Sequence, residues 1–332
     1  MAQTQLYTKK AQVFVVEEAT QDTYQTQGAT DAIFAEIPDA PITINSSNYE
    51  PTTVRGDFLL QDEIPGAASA TVNFRVPLHG SGTAGTAPEF GEALKACGFE
   101  ETTVATTSVT YTPLSTFDGS GGNPGPSYSV TVIVDGLAFR VKGAFGNVVF
   151  EGTVGEPMFA NFTFTGAFSA ATDDALETTS YDTAISPSFK GASFVENFDD
   201  GTDGYTPKGI NSFNLDMGNN VVAVSDINDT YGYYGSRIVG RKTIGSFDPE
   251  LVLVATQDFF GNWASGQTGT ITTGAIGATA GNIYTLSIAR AVKRPPEPGS
   301  RDGIAVLTVP FAVSSAATDV EGTNADVSLA FT

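Results

Sequence analysis

One cysteine and one histidine in 332 residues remove much of the chemistry a chain can offer. Cys97 alone excludes an intrachain disulfide framework. It falls on the apolar side of a short helical segment, where a buried small hydrophobe is expected. His79 stands beside Gly80 at the end of a strand-like run. Neither a histidine-based metal cluster nor a Ser-His-Asp triad can be built on it, and a structural or solvated role is expected. Positive charge is scarce as well: 16 Lys and Arg face 37 Asp and Glu, for a net charge of -21. Such a surface repels nucleic acid and anionic membranes, although it allows nucleic acid to pass nearby without sticking. Charged residues of both signs make up only 16% of the chain, low for a free soluble domain. Extensive protein–protein contact explains that shortage; an ordinary secreted β protein is the plainer account. No stretch approaches the ~20 apolar residues of a membrane span. The opening, MAQTQLYTKKAQ, lacks the apolar run of a signal peptide, so synthesis and assembly in a cytoplasm are expected.

What is present is β patterning. The 41% of apolar residues includes 23 Phe, enough for a sizeable core. Segment 9–18 contains a short strand, 32–37 reads as another strand or an edge segment, and 54–60 and 70–78 read as strands. Asn73 and Arg75 alternate with Val72, Phe74 and Val76. Pro65-Gly66 marks a turn. The block Gly80–Phe99, GSGTAGTAPEFGEALKACGF, is a Gly/Thr loop running into the one clear helix. That helix is expected over 88–97, with Thr86 as cap, Pro88 in the first turn, Phe90, Leu94 and Cys97 on one face, and Gly98 as the stop. Strands follow at 108–113 and 127–134, with a Gly/Pro-rich connection at 117–126. Asp135-Gly136 signals a tight hairpin into 137–142. Segments 144–154 and 158–168 form a last hairpin, turning at 155–157.

A polar Asp/Thr/Ser stretch then marks a boundary. The expected division is an N-terminal unit with its arm at 1–170, a linker at 171–190 and a second unit at 191–332. The second half reads as a loose copy of the first. Segments 213–217 and 221–224 flank Gly218, and 233–241 leads into 243–250, which takes the place of the Gly/Thr loop and helix start. Strands follow at 269–272 and 283–288. The hairpin at 148–164 is echoed by 288–311, with 293–302 in place of the short turn. The repeat rests on element order, not on residue identity. The fold class expected is mainly β: antiparallel sandwich or partial-barrel units, each with a short flanking helix, duplicated along the chain.

No catalytic, cofactor-binding or metal-binding residue is nominated. Gly80, Gly82 and Gly85 lack the Gly-Lys-Ser/Thr ending of a phosphate loop, and Glu89 follows at once. Asp173-Asp174 and Asp199-Asp200 read as solvated loop carboxylates; an ion-binding surface is their other reading. No EF-hand pattern occurs. Arg237, Arg241 and Arg301 are rare cations in an acidic chain, suited to carboxylates of a neighbouring subunit or of the chain itself.

The Gly80–Phe99 block followed by SVTYTPLS resembles the major tail tube proteins of long-tailed, siphophage-type bacteriophages. So do Asp135-Gly136 with FRVKGAFGNVVFEGTVGEPMFANFTFTGAF and, in the second half, Gly235–Arg241 with Ser246–Glu250. The resemblance covers roughly 50–310 and is strongest over 54–168. It implies a structural virion subunit, not an enzyme, and no cofactor. It also implies self-assembly into rings that stack into a tube around an acidic channel for genome passage. A duplicated chain implies trimeric, pseudo-hexameric rings; a single tube unit implies hexamers with the second half outside. Tape-measure, tail terminator and baseplate or initiator proteins are the implied partners. DNA transits without specific binding, no membrane is engaged, and the location is the virion tail after assembly in the host cytoplasm. Loops 61–68, 80–87 and 218–232 are the expected ring-to-ring contacts.

Three rivals remain. A carbohydrate-binding or decoration β protein of a virion needs an exposed aromatic patch, for which Trp263, Phe259, Phe260, Tyr231, Tyr233 and Tyr234 are the only candidates. A β-class glycosidase needs two carboxylates facing each other across a cleft, and no pair is nominated. A secretion-system tube protein is expected to be shorter.

Overall fold

Alternation becomes strand where a partner strand lies within reach. The computed structural model describes residues 5–54, 56–114, 125–179, 181–198, 204–315 and 326–332. Its first half contains β1 (Ala11–Glu17), β2 (Ala32–Ile33), β3 (Ile42–Ser46), β4 (Ala68–Pro77), α1 (Gly91–Ala96), β5 (Phe99–Val104), β6 (Ser108–Pro113), β7 (Tyr128–Val134), β8 (Leu137–Thr153) and β9 (Phe159–Asp173). Its second half contains β10 (Val195–Asn197), β11 (Ser212–Asp216), β12 (Asn219–Ser225), β13 (Tyr233–Arg241), β14 (Ile244–Phe247), α2 (Phe259–Ala264), β15 (Thr268–Thr272), β16 (Tyr284–Lys293), β17 (Glu297–Arg301), β18 (Ile304–Val313) and β19 (Val327–Phe331). The ladders are antiparallel: a 17-stranded sheet and a separate two-stranded ribbon of β12 and β13. The fold is mainly β.

In β4 the expected faces appear: Ala70, Val72, Phe74 and Val76 are buried while Arg75 is exposed. β4 pairs with β9 from Ser69↔Ala167 to Pro77↔Phe159. Asp135 and Gly136, both at positive φ, make the tight turn between β7 and β8. The expected break between 142 and 144 is absent. β8 runs through it as one strand, with Gly143 at φ 56 in a register shift that bends the strand without ending it.

α1 is shorter than expected. It starts at Gly91 rather than 88, and Thr86 does not cap it: the Thr86 amide closes a turn onto Thr83, and the position before the helix is Phe90 with no side-chain cap. Gly98, at φ 80, stops it as expected. Phe90, Leu94 and Cys97 are buried together, and this six-residue helix is held by the sheet beneath it.

Segment 54–60 is not a strand. Gly56 sits at φ 78, and the Asp57 carboxylate accepts the Leu59 amide at 3.1 Å, a local turn that competes with extended pairing. In the second half, 243–250 is not a loop and helix start but contains β14, and the six-residue helix α2 follows at 259–264. The stretch 293–302 is not all loop: Lys293 ends β16, half of the stretch is β17, and the turn is the pair Asp302-Gly303, both at positive φ. Most of the 117–126 connection, and Asp199-Asp200, lie outside the described residues.

Core residues of both halves belong to one cluster. Phe331 of β19 packs against Phe90 and Tyr111 of the first half, with ring centroids 5.9 and 6.1 Å apart. β19 pairs with β6 as well as with β16.

Candidate assembly surface

The halves meet edge to edge along the last third of β8. β11 pairs there from Ser212↔Thr153 to Asp216↔Val149. The ladder is extended by Met217 N–H to the Val148 carbonyl (3.1 Å) and Val154 N–H to the Asn211 carbonyl (3.0 Å). On the core side the seam is closed by Phe150, Phe213 and Leu215, all buried, with Phe189 of the connecting segment over Gly152. On the other side it carries polar rungs. Glu151 accepts from Asn161 of β9 (2.7 Å) and Asn214 of β11 (3.4 Å), and Asp216 accepts from Asn147 of β8 (2.8 Å). Each carboxylate is thus matched by neutral amides across strands.

The β12–β13 ribbon, which belongs to the β11-to-β14 connection, folds back over β8 and β9. The Ser236 hydroxyl meets the Thr165 and Gly143 carbonyls (2.6 and 3.0 Å) and accepts the Phe145 amide (3.1 Å). Asn219 donates to the Cys97 and Gly146 carbonyls (2.7 and 3.0 Å). Lys142 pairs with Asp229 at 2.5 Å. Burial works to raise the Asp229 carboxyl, but the Lys142 ammonium and the Tyr231 amide outweigh it and lower its pKa.

These contacts change the expected loop roles. Loop 218–232 belongs to the ribbon and is committed within the chain. Loop 80–87 is docked too: Gly80 N–H donates to Asn282 Oδ1 (2.9 Å), and Gly82 N–H to the Gly281 carbonyl (3.0 Å). Asn282 also donates to the Ile185 carbonyl at 2.8 Å, joining loop, connecting segment and second half. The 49–64 loop, which includes part of the expected 61–68 contact, behaves differently. It is closed at its base by mutual Tyr49–Ile64 backbone bonds, and Val54, Phe58 and Leu60 are almost wholly exposed.

The rare arginines fall within the chain. Arg237 grips Asp22 with both terminal nitrogens (2.6 and 2.9 Å), and Arg301 pairs with Asp248 at 2.9 Å. Burial lowers the pKa of Arg241, and the charge of Asp326 opposes that. Asp174 of the expected carboxylate pair is engaged by Arg140. His79 is buried, its Nδ1 3.1 Å from the Gly80 carbonyl and its ring edge-on to Phe90. The six aromatic residues of the carbohydrate reading do not form one patch: Tyr231 packs on Phe168 and buried Phe259 on Tyr205, and among the described residues no ring pair joins the tyrosines to α2. Among the described residues no group of His, Cys, Asp and Glu is arranged to hold a metal, and no helix is long and apolar enough to cross a membrane.

Among the described residues several strands pair on one side only: β3 with β4 and β17 with β18, which lie at the two ends of a long run of ladders, and also β2 with β1, β5 with β6, and β12 and β13 with each other. Sequence reasoning did not find them. Strand 42–46 has only a weak pattern, and which edge stays free is decided by partners far along the chain.

No curated protein matches the chain. A family model described as phage tail tube protein matches residues 8–314, well over half of it, and the chain belongs to that family. It is a structural subunit of the tail tube of the phage virion, not an enzyme.

Proposed function

We propose that this tail tube subunit is a tandem of two tube units, and that three copies close a pseudo-sixfold ring that stacks into the tube. The observation that carries the reading is a recurrence of ladders. In the first half β1 pairs with β7, β7 with β8, β8 with β9, β9 with β4, and β4 with β3. In the second half β10 pairs with β15, β15 with β16, β16 with β18, β18 with β14, and β14 with β11. The strands come in the same chain order, and each half places a six-residue helix between its third and fourth corresponding strands. Both helices are followed, two residues on, by a glycine at positive φ, Gly98 and Gly266. Differences fall in the connections: β5–β6 is added in the first unit, β12–β13 in the second. We keep the division into two units, with the first extended to the end of β9 at Asp173.

The seam joins four strands of each unit into one run, β3–β4–β9–β8 with β11–β14–β18–β17. The non-core face of that run carries Thr71, Asn73, Asn161, Thr163, Asn214 and Ser246, together with the amide-matched Glu151 and Asp216. Its arginines are offset by carboxylates, Arg75 by Glu36 at 2.5 Å and Arg301 by Asp248. We assign this face to the channel. Without unpaired cations it has no phosphate contacts to break, so DNA slides past rather than adheres. Tape-measure, terminator and initiator proteins are the partners such a tube requires, and the host cytoplasm is the place of assembly.

The test is the mass of the purified ring by native mass spectrometry, with electron microscopy of the same sample. Three chains and six lobes are expected. Six chains per ring would overturn the tandem reading while leaving the tube.

A further inference from the structure

One corner of the second half gathers positive charge that the chain does not pair. A pocket of about 450 Å³ lies there, where β13 passes into β14. Its wall includes Arg241, Lys242, Thr243, Ser314, Asp326 and, from the first half, Leu114. We propose that this pocket binds a small oxyanion, a carboxylate or a phosphate, with Arg241 as the residue that grips it.

The first observation is a buried donor without an acceptor. Arg241 Nη1 and Ser314 Oγ are both buried, and neither has a hydrogen-bond partner. Among the described residues neither Arg241 nor Lys242 forms an ion pair. Other arginines of this acidic chain are met by a carboxylate: Arg75 by Glu36, Arg140 by Asp174, Arg237 by Asp22 and Arg301 by Asp248. A guanidinium drawn out of water with nothing to donate to costs free energy, which a bound oxyanion returns. Its planar fork also matches the paired oxygens of a carboxylate or phosphate. Asp326 is the one carboxylate in the wall. Burial lowers the pKa of Arg241 against the pull of that charge, so Asp326 does not make up for the water lost.

The second observation is what fills the matching corner of the first half. The β11–β14 ladder closes with Lys242 N–H to the Gly218 carbonyl (3.1 Å), and the β3–β4 ladder with Ser47 N–H to the Ala67 carbonyl (3.0 Å). Counted from those pairs, Thr243 and Val313, joined by Val313 N–H to the Thr243 carbonyl at 3.0 Å, correspond to Ala68 and Phe168. In the first half the ribbon tip covers that corner. Ala68 N–H donates to the Tyr231 carbonyl (2.8 Å), the Tyr231 ring lies 5.2 Å from that of Phe168, and Asp229 brings its carboxylate to Lys142. The first corner therefore holds a carboxylate against a cation. The second corner has the cations, Arg241 and Lys242, and among the described residues no carboxylate bonded to them. This correspondence rests on the tandem reading above; the pocket and its unpartnered nitrogen do not.

The position suits a subunit through which DNA passes. Thr243 is buried, and Ser246, three residues on, belongs to the face assigned to the channel. Alternation along the strand puts the two on opposite faces, so an anion beside Thr243 leaves the channel face without exposed cations. Leu114 N–H donates to the Gly98 carbonyl at 2.9 Å, at the end of β6. An anion in the pocket thus touches both halves and should stabilise their join.

The test is calorimetric titration of the full-length chain, before assembly, with inorganic phosphate and separately with citrate. Both are run in chloride buffer at matched ionic strength, so that screening does not imitate binding. Saturable one-site binding of at least one probe is expected, with a rise in melting temperature at the same concentrations; the tighter probe names the group. Arg241→Gln should weaken binding by about 10- to 100-fold, the loss of a charged hydrogen bond. Lys242→Gln, at an exposed side chain, should weaken it less, and Lys208→Gln, exposed elsewhere, not at all. In chloride alone Arg241→Gln should melt at or above the parent, because it removes a charge the chain does not pair, and the order should reverse in the binding anion. No saturable binding of either probe, or binding that Arg241→Gln leaves unchanged, would overturn the proposal. So would an Arg241→Gln chain that melts well below the parent in chloride, since Arg241 would then be satisfied within the chain. Ring stoichiometry does not enter these measurements, so their failure leaves the tandem tube standing, and six chains per ring would leave the pocket standing.

Discussion

The second half of the chain is held by a buried ion pair whose loss has a calculable size. Lys293 at the end of β16 places Nζ 3.0 Å from Glu196 Oε2 of β10, and both side chains are 0% exposed. Gln257 donates to the other oxygen of Glu196 at 3.0 Å, and the ammonium lies 4.2 and 4.6 Å from the ring centres of Phe198 and Phe259. At 3.0 Å and an effective dielectric of about 20, the attraction is about 5–6 kcal/mol, largely offset by the cost of drying both charges. Lys293→Met keeps the aliphatic stem but strips the carboxylate of its cation, and such half-removal costs about 3–5 kcal/mol. At roughly 2 °C per kcal/mol for a chain of this size, the melting temperature falls by about 6–10 °C. The double variant Lys293→Met/Glu196→Leu removes both charges and should recover at least half of that loss. Thermal melts of freshly purified monomer, followed by circular dichroism, read both effects. A single variant within about 1 kcal/mol of the parent, or a double variant no better than the single, would refute the argument.

Two further predictions concern the first unit and the junction. Glu18 accepts from Ser127 (2.5 Å), Ser129 (2.8 Å) and the Gly143 amide (2.8 Å), yet burial outweighs these bonds and raises its pKa above the ordinary 4.5. A raised native pKa means stability that is full below the unfolded value and lost as pH rises through the native one. The melting temperature of the parent relative to Glu18→Gln should therefore fall across that window; a flat or rising difference in pH-dependent melts would count against it. Gly80→Ala places a Cβ 2.0 Å from the Gly281 carbonyl, so the loop must leave its dock. Faster tryptic cleavage at Lys190 than in the parent is the expected result, and unchanged cleavage speaks against a clamp.

How much of this was legible in sequence depended on how local each cause is. β6, β7 and the β8–β9 hairpin were readable because alternation and turn chemistry sit side by side, as in Asp135-Gly136. β3, β5, β10 and β19 were not anticipated. β10 has three residues and β19 is fixed by β16 and β6, so neighbours distant in sequence create them. Segment 54–60 misled for the complementary reason: its apolar residues alternate, but among the described residues no strand pairs with it. The candidate surface was the least legible part. Loop composition pointed to 80–87 and 218–232 as free surfaces, whereas both are spent inside the chain, and the free edges lie in unremarkable strands.

The strands on the two sides of the seam differ in chemistry from the edge strands β3 and β17. Across the internal seam β11 brings apolar Phe213 and Leu215, and the ribbon fixes the join with the Arg237–Asp22 and Lys142–Asp229 pairs. The β3 edge, Ile-Thr-Ile-Asn-Ser, carries no charge at all, and β17 carries one of each sign in Glu297 and Arg301. Copies with a net charge of -21 repel one another at a distance. A neutral strand edge adds nothing to that repulsion. The seam is a backbone ladder between segments of one chain, so it forms as the chain folds and does not depend on concentration.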